Sequence, residues 1–344
     1  MRHRSDWALL NINSKKFSSY HTIADSIPLK DILASDTRFR CSFPPSISSQ
    51  LYMSIKTLGI MHPIICRTFP SSRTVQIISG FRRFNAAKKL KLSHIPAYVY
   101  PHKELTDKKA MVLIIHDNLT SRGFNIIEIA RLLRALSSKS AFSEKEVISR
   151  FLPLLSLEPN RCIFERMIKL CSLKLPGQHL LAEGKISLQT AELILHVPSR
   201  ERDIICTVLH KLKTGRNKSH DIVTLLYDIS KREHISIQTL IQERFMQDIL
   251  TAKNSSPPIM FHAMKSYLFN RRYPQLSKLK SEISSLIKNM QLPKNIRIQP
   301  PGSLEGEGIT FELPVRNTED LKQSIQILKQ LISNPCFNEL LKKT

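Results

Sequence analysis

The residue types best suited to chemistry with an anion lie in Gly80-Phe-Arg-Arg-Phe-Asn-Ala-Ala-Lys-Lys-Leu90, directly after the β-type run Val75-Gln-Ile-Ile-Ser79. A glycine at a strand-to-helix junction lets backbone approach an anion, and the free N–H groups of a helix start attract phosphate. At 100° per residue Arg82, Asn85 and Lys89 share one face, while Phe84, Ala87 and Leu90 lie on another. The pattern predicts a phosphate cradle; the alternative is a solvent-exposed basic helix. The surrounding charge favours the cradle. Between Asp36 and Glu104 there is no Asp or Glu, yet the stretch carries eleven Lys and Arg residues. The whole chain has 52 Lys+Arg against 28 Asp+Glu, a formal net charge of +24 over 344 residues. Cations that displace counterions from a polyanion gain binding free energy, so nucleic acid is the expected partner class.

A second candidate lies further along. Ser143–Phe151 followed by Pro159–Leu173 reads as a helix-turn-helix, whose second helix enters the major groove. On that helix Ile163, Met167 and Leu170 form the expected buried stripe, leaving Arg161, Glu165, Arg166 and Lys169 outward. Asn160 and Arg161 are of the types that read adenine or guanine edges. Lys89 on the earlier basic helix is expected to meet duplex phosphates. The connection Leu152–Pro159 is longer than a minimal turn, and an ordinary helical bundle is the alternative.

The elements that must position these residues divide the chain into parts. Residues 1–24 are polar and unpatterned, a tail. Residues 25–105 alternate strands and helices: a stripe at Leu51, Ile55 and Leu58 closed by Gly59, short strands at Pro63–Arg67 and Val75–Ser79, the basic helix, and a strand at Ile95–Tyr100. Residues 106–250 read helical, with a capping box at Ser143–Glu146, Pro159 in a first turn, N-caps at Ser187, Ser219 and Ser236, and Gly177 and Gly184 as punctuation. A linker at 251–258 leads to a unit at 259–344 with a basic helix, a hairpin around Pro301–Gly308, and a helix capped by Asn317 with the stripe Leu321, Ile325, Leu328 and Leu331. The expected class is mainly α with a mixed α/β N-terminal domain. A two-strand ribbon with one helix cannot bury its own apolar face, so residues 290–335 are expected to form a homodimer surface; docking on the chain's own helices is the alternative.

Composition excludes several classes. Apolar runs fall far short of the ~20 residues a bilayer span needs, and the N-terminal residues lack an apolar segment of the secretory type. The six cysteines form no Cys-x-x-Cys pair, as expected of reduced thiols in a cytoplasm. Gly177…Gly184-Lys185 fails as a phosphate loop because Ile186 stands where Ser or Thr must hold magnesium.

Residues 25–100 resemble the N-terminal domain of ParB-type chromosome and plasmid partition proteins. The residues that carry the likeness are Ser54-Ile-x-x-x-Gly59-Ile-x-x-Pro63-Ile-Ile, Ile78-Ser-Gly80, Arg82-Arg83…Ala86-Ala87 and Ile95-Pro-Ala, continuing through Asp117-Asn118-Leu119. A sulfiredoxin-like reading of the same fold fails, because its nucleophilic cysteine would stand at Phe81. The resemblance implies that Gly80, Arg82, Arg83, Asn118 and Arg122 touch the phosphates of CTP, with magnesium at Asp117, and that CTP closes a dimeric clamp on duplex DNA. It also implies a partner ATPase of the ParA type and a cytoplasmic, nucleoid-associated protein without membrane contact. This chain departs from the family where Phe81 replaces a glutamate and Asp117 replaces a second one. With so few acids, triphosphate binding is expected with weak or absent turnover. The competing readings are a nuclease or nucleotide hydrolase, against which the missing acids count, and a helix-turn-helix transcription regulator.

Overall fold

The computed structural model describes residues 25–44, 47–69, 72–138, 142–252, 255–293, 296–299 and 308–343. The expected tail at 1–24 and most of the hairpin loop lie outside the described residues. Two compact units meet at the 224/225 boundary.

In the first unit a four-stranded mixed sheet takes the order β1-β4-β2-β3, from β1 (Asp25–Pro28), β2 (Ile64–Phe69), β3 (Ser72–Ser79) and β4 (His94–Tyr100). Strands β2 and β3 form an antiparallel hairpin pairing Cys66 with Ile77. Strand β4 runs parallel to β2, pairing Ile64 with Ala97, and antiparallel to β1, pairing Ile27 with Ile95. The start of β2 is apolar without alternation because it lies inside the sheet with both faces covered. Helix α1 (Ser49–Leu58) starts on the Ser48 hydroxyl and ends at Gly59 in a positive-φ conformation, as the sequence pattern predicts. Helix α2 (Phe81–Lys89) buries Phe81, Phe84, Ala86 and Ala87.

A buried guanidinium sits within this sheet. Arg67 is 2% exposed and donates to Gln76 Oε1 (2.8 Å) and the Leu105 carbonyl (2.8 Å), and pairs with Asp107 Oδ1 at 2.6 Å. Gln76 in turn donates to Asp36 Oδ2 at 2.6 Å. Asp107 opens helix α3 (Asp107–Ser121), so the network fastens the start of that helix to the sheet. The excess of cations in the acid-free stretch is thus partly internal: Arg67 and Arg38 are neutralised by Asp36 and Asp107 from its flanks.

The remainder of the first unit is helical: α4 (Ile126–Ser138), α5 (Glu144–Glu146), a π turn (Val147–Phe151), α6 (Leu152–Leu154), α7 (Arg161–Leu170), α8 (Leu175–Ala182), α9 (Leu188–His196), α10 (Ser199–Leu212) and α11 (Arg216–Glu233), which runs on into the second unit. The Ser143–Glu146 capping box forms in both directions, and Ser187 caps α9. Three local expectations are corrected. The N-cap of α7 is Asn160, so Pro159 lies before the helix. Ser219 is inside α11, where its buried hydroxyl bonds the Thr214 hydroxyl at 2.7 Å. Gly177 is helical, with the Cys206 sulfur 3.2 Å from where a Cβ would sit; close packing rather than a chain break accounts for it.

The second unit continues with α12 (Ile237–Gln242, capped by Ser236), α13 (Arg244–Thr251), α14 (Pro257–Arg272) and α15 (Pro274–Asn289). Strands β5 (Arg297–Gln299) and β6 (Thr310–Glu312) pair antiparallel, followed by α16 (Thr318–Leu331, capped by Asn317) and α17 (Pro335–Lys343). Ile283, Met290, Ile298, Leu331 and Leu340 form their core. The α16 stripe is only half covered: Leu331 is buried, whereas Leu321 and Ile325 are 42% and 44% exposed. No helix among the described residues is long and apolar enough to cross a membrane.

Candidate anion and nucleic-acid site

Strand β3 ends at Ser79 and the chain turns through Gly80 (φ 102°, ψ 17°) to become the N-cap of α2. Glycine is required there twice over. The positive φ disfavours any side chain, and a Cβ would stand 2.5 Å from Ile64 Cγ2 and 2.9 Å from Ile64 Cβ. This tight turn aims Arg82 and Arg83 into a cavity of about 670 Å³ between the sheet end, α1 and the C-terminal turn of α3. The volume is that of a small-molecule site. Gly80, Arg82, Arg83, Asp117, Asn118 and Arg122 all line it, as do Phe39, Cys41 and Ser42 from a strap before α1. Residues from both sides of the expected 105/106 boundary therefore build one site.

The cations in it are not equivalent. Arg83 is held by the protein: Nη1 donates to the carbonyls of His62 (2.8 Å) and Pro63 (2.7 Å), and Nη2 lies 3.6 Å from Asp117. Arg82 is not. Its Nε is buried, and among the described residues no acceptor is within reach. Burial and the neighbouring Arg122 cation pull the Arg82 pKa down, while Glu128 resists. Arg122 makes a bidentate pair with Glu128, both contacts 2.9 Å. Asn118 donates to the Ile114 carbonyl in its own helix at 2.8 Å. Asp117, the single carboxylate among the described lining residues, accepts a short hydrogen bond from the Ser79 hydroxyl and faces Arg83.

Sequence reasoning missed Ser79, Glu128 and Asn125. Asn125 and Glu128 form a reciprocal cap: Glu128 N–H donates to Asn125 Oδ1 (3.0 Å) and Asn125 N–H to Glu128 Oε2 (2.9 Å). The Asn-x-x-Glu spacing ahead of the apolar run of α4 is the signal that marks it.

The residues expected to meet DNA lie apart from the cavity. Asn160 caps α7, its Oδ1 accepting from the Cys162 N–H at 2.7 Å. Arg161 pairs with Glu165 (2.9 Å) and Glu144 (3.5 Å), and Arg166 donates to Glu192 Oε2 at 2.8 Å. Lys169 is exposed in the last turn of α7. Lys89 is exposed at the end of α2, its ammonium 5.0 Å from the Tyr52 ring centroid. The buried side of α7 is Phe164, Met167 and Leu170; Met167 and Leu170 hold the expected places, while Ile163 is only partly covered and Phe164 is buried in its stead. Extension of the preceding helical segment to Leu154 shortens the connection to residues 155–160.

Residues 13–119 match the family described as ParB N-terminal domain. Three similar curated proteins are each described as a probable chromosome-partitioning protein ParB. That of Neisseria meningitidis serogroup A is 26% identical over 177 residues, 52% of this chain and 58% of the relative. That of Vibrio cholerae is 24% identical over 205 residues (59% and 67%), and that of Mycobacterium leprae 27% over 190 residues (54% and 54%). The chain thus spans little more than half the length of most of these relatives. Two solved structures of C-terminally truncated ParB from Caulobacter crescentus are also similar. One is complexed with CTP-gamma-S (21% identity, 53% of this chain, 97% of that one, TM-score 0.26) and the other with the centromeric parS site (19%, 54%, 91%, TM-score 0.32). Residues 13–119, which include Gly80, Arg82 and the strand-to-helix turn that shapes the cavity, thus match the ParB N-terminal domain, and over about half its length the chain is similar to ParB partition proteins.

Proposed function

We propose that this chain is a duplex-DNA-binding partition protein of chromosome or plasmid whose first unit holds the phosphates of CTP. The observation that carries the reading is the buried, unpartnered Arg82 Nε beside the Arg122 cation, in a cavity opened by the Gly80 helix start. An orphaned guanidinium N–H next to a second cation is a demand for an anionic oxygen. The residues fit a triphosphate: Gly80 admits phosphate to the α2 N-terminus, Arg82 supplies a free donor, and Arg83, Asn118 and Arg122 frame it.

The residues do not fit a protein-held magnesium ion. Asp117 already accepts the hydrogen bond of the Ser79 hydroxyl and faces the Arg83 guanidinium, and among the described residues no three His, Cys, Asp or Glu side chains cluster. Phe81, at the position where the resemblance expects a glutamate, is packed into the core at 8% exposure. Bound triphosphate therefore turns over slowly or not at all, and acts as a ligand that sets the protein's state on DNA. Sequence preference lies with α7, through Asn160, Arg161, Glu165, Arg166 and Lys169, and Lys89 adds phosphate contact. A homodimer forms through the half-covered α16 face, an ATPase of the ParA type is the partner, and the protein works on the nucleoid in the cytoplasm.

Isothermal titration with CTP and with a panel of other triphosphates, alongside sequencing of DNA co-precipitated from cells, tests this. We expect CTP binding that Arg82→Ala weakens by roughly tenfold to a hundredfold, and a discrete DNA site with spreading that the same variant loses. A protein that ignores both triphosphates and DNA duplexes at modest ionic strength overturns the proposal, and rapid phosphate release from CTP overturns its non-catalytic part.

A further inference from the structure

Glu128 lies beneath the cavity and is 1% exposed. Four N–H groups converge on its two oxygens: Arg122 Nη1 and Nη2 at 2.9 Å each, the Phe43 backbone at 2.8 Å and the Asn125 backbone at 2.9 Å. Asn125 Nδ2 completes the frame by donating to the Phe43 carbonyl at 2.7 Å. One buried carboxylate and its capping partner therefore grip the strap that walls the cavity by both the N–H and the C=O of Phe43. The same carboxylate grips the guanidinium that stands next to Arg82.

We propose that Glu128 is a positioning residue of the anion seat, holding Arg122 and the strap ending at Phe43 in the geometry that receives phosphate; this rests on the triphosphate reading above. The physical reason is charge. Arg82 and Arg122 repel one another, and Glu128 counters that repulsion. Two cations and one anion leave a single unit of positive charge for the ligand. Without Glu128, repulsion drives Arg122 toward solvent, where its charge is screened and its donors point nowhere in particular. Phe43 also loses the acceptor for its N–H, which frees the strap carrying Phe39, Cys41 and Ser42.

Electrostatics and positioning predict opposite signs for one substitution. Glu128→Gln removes a negative charge beside an anion site. If Glu128 acted only through its charge, the variant would bind anions more tightly; if it positions Arg122 and the strap, binding weakens. The experiment is titration of the full chain with inorganic tripolyphosphate and with CTP, well below the melting temperature, for wild type, Glu128→Gln and Arg122→Lys. Arg122→Lys keeps the charge and Glu128 but loses the paired geometry. We expect both variants to weaken both probes by roughly tenfold, the scale of one charge-assisted hydrogen bond. Affinity in Glu128→Gln equal to or above wild type overturns the role of Glu128. Should that variant fail to fold, unchanged affinity in Arg122→Lys overturns it instead. Wild type binding neither probe sinks the triphosphate reading itself, a result distinct from either of these.

Discussion

Replacing Arg82 with methionine separates what this residue does for the fold from what it does for a ligand. The apolar stem is largely retained, while the guanidinium with its buried, unpartnered Nε is removed. An unsatisfied buried donor costs roughly 1–3 kcal/mol. Arg82 is only half-buried, so solvent relieves part of that cost, and the expected gain for the ligand-free variant is about 1 kcal/mol or less. For a unit of this size that is a rise in Tm of about 2–4 °C at most. Triphosphate binding moves the other way. Loss of a charge-assisted hydrogen bond of about 1.5–3 kcal/mol weakens it by roughly tenfold to a hundredfold. Scanning calorimetry with and without CTP reads both quantities: the variant should melt at or slightly above wild type alone, yet show almost none of the ligand-induced rise. A fall in the ligand-free Tm of more than about 3 °C would mean that Arg82 is a satisfied structural residue, and an unchanged CTP-induced rise would mean that it holds no phosphate.

Gly80→Ala should destabilise the first unit by about 2–4 kcal/mol, combining left-handed strain with overlap at Ile64, read as a lower urea midpoint at constant slope. Arg271 bridges Glu233 (2.7 Å) and Glu243 (2.5 Å), and its hydrogen bonds hold the Glu233 carboxyl below the usual carboxylate range. A depressed folded pKa gives stability that is complete above the unfolded glutamate value of about 4.3 and is lost as pH falls through the folded value, so acid unfolding of the second unit should become shallower in Arg271→Met. The double variant Leu321→Lys with Ile325→Lys places charge on the half-covered α16 face and should halve the mass seen by light scattering without lowering helix content. Burial pushes the Cys66 thiol up to about 12, so iodoacetamide at pH 8 should modify exposed Cys162 and spare Cys66 in the folded protein, as read by mass spectrometry.

The cavity was legible in the sequence because its parts are local. Gly80 with the arginines after it announces an anion seat by residue type and spacing, whereas the Asp117–Arg122 segment is marked only by the family resemblance; folding brings the two to one cavity. Two kinds of feature were not legible. The first is pairing across long separations: Arg67 with Asp107, Arg166 with Glu192 and Phe43 with Glu128 depend on tertiary placement that no periodicity encodes. The second is the exact start of a helix. Pro159 and Asn160 both suit the beginning of α7, and the helix takes Asn160 as its cap; likewise Ile163 and Phe164 are both apolar, and tertiary packing buries Phe164. Ser219 shows the same ambiguity, since a serine that caps one helix is an ordinary buried hydrogen-bonding residue inside another.

Phe43 has a further neighbour. Its ring lies 4.1 Å from the Arg131 guanidinium on α4 and 4.7 Å from the His179 ring on α8, and Arg131 also donates to Gln178 at 2.6 Å, which bonds the Leu173 carbonyl just past α7. One side of the cavity is thus bolted to the helical bundle rather than to the sheet. A fragment trimmed to the family match at residue 119 would keep all four strands of the first sheet yet lose those bolts, and a chimera joined there would inherit a cavity with one loose wall.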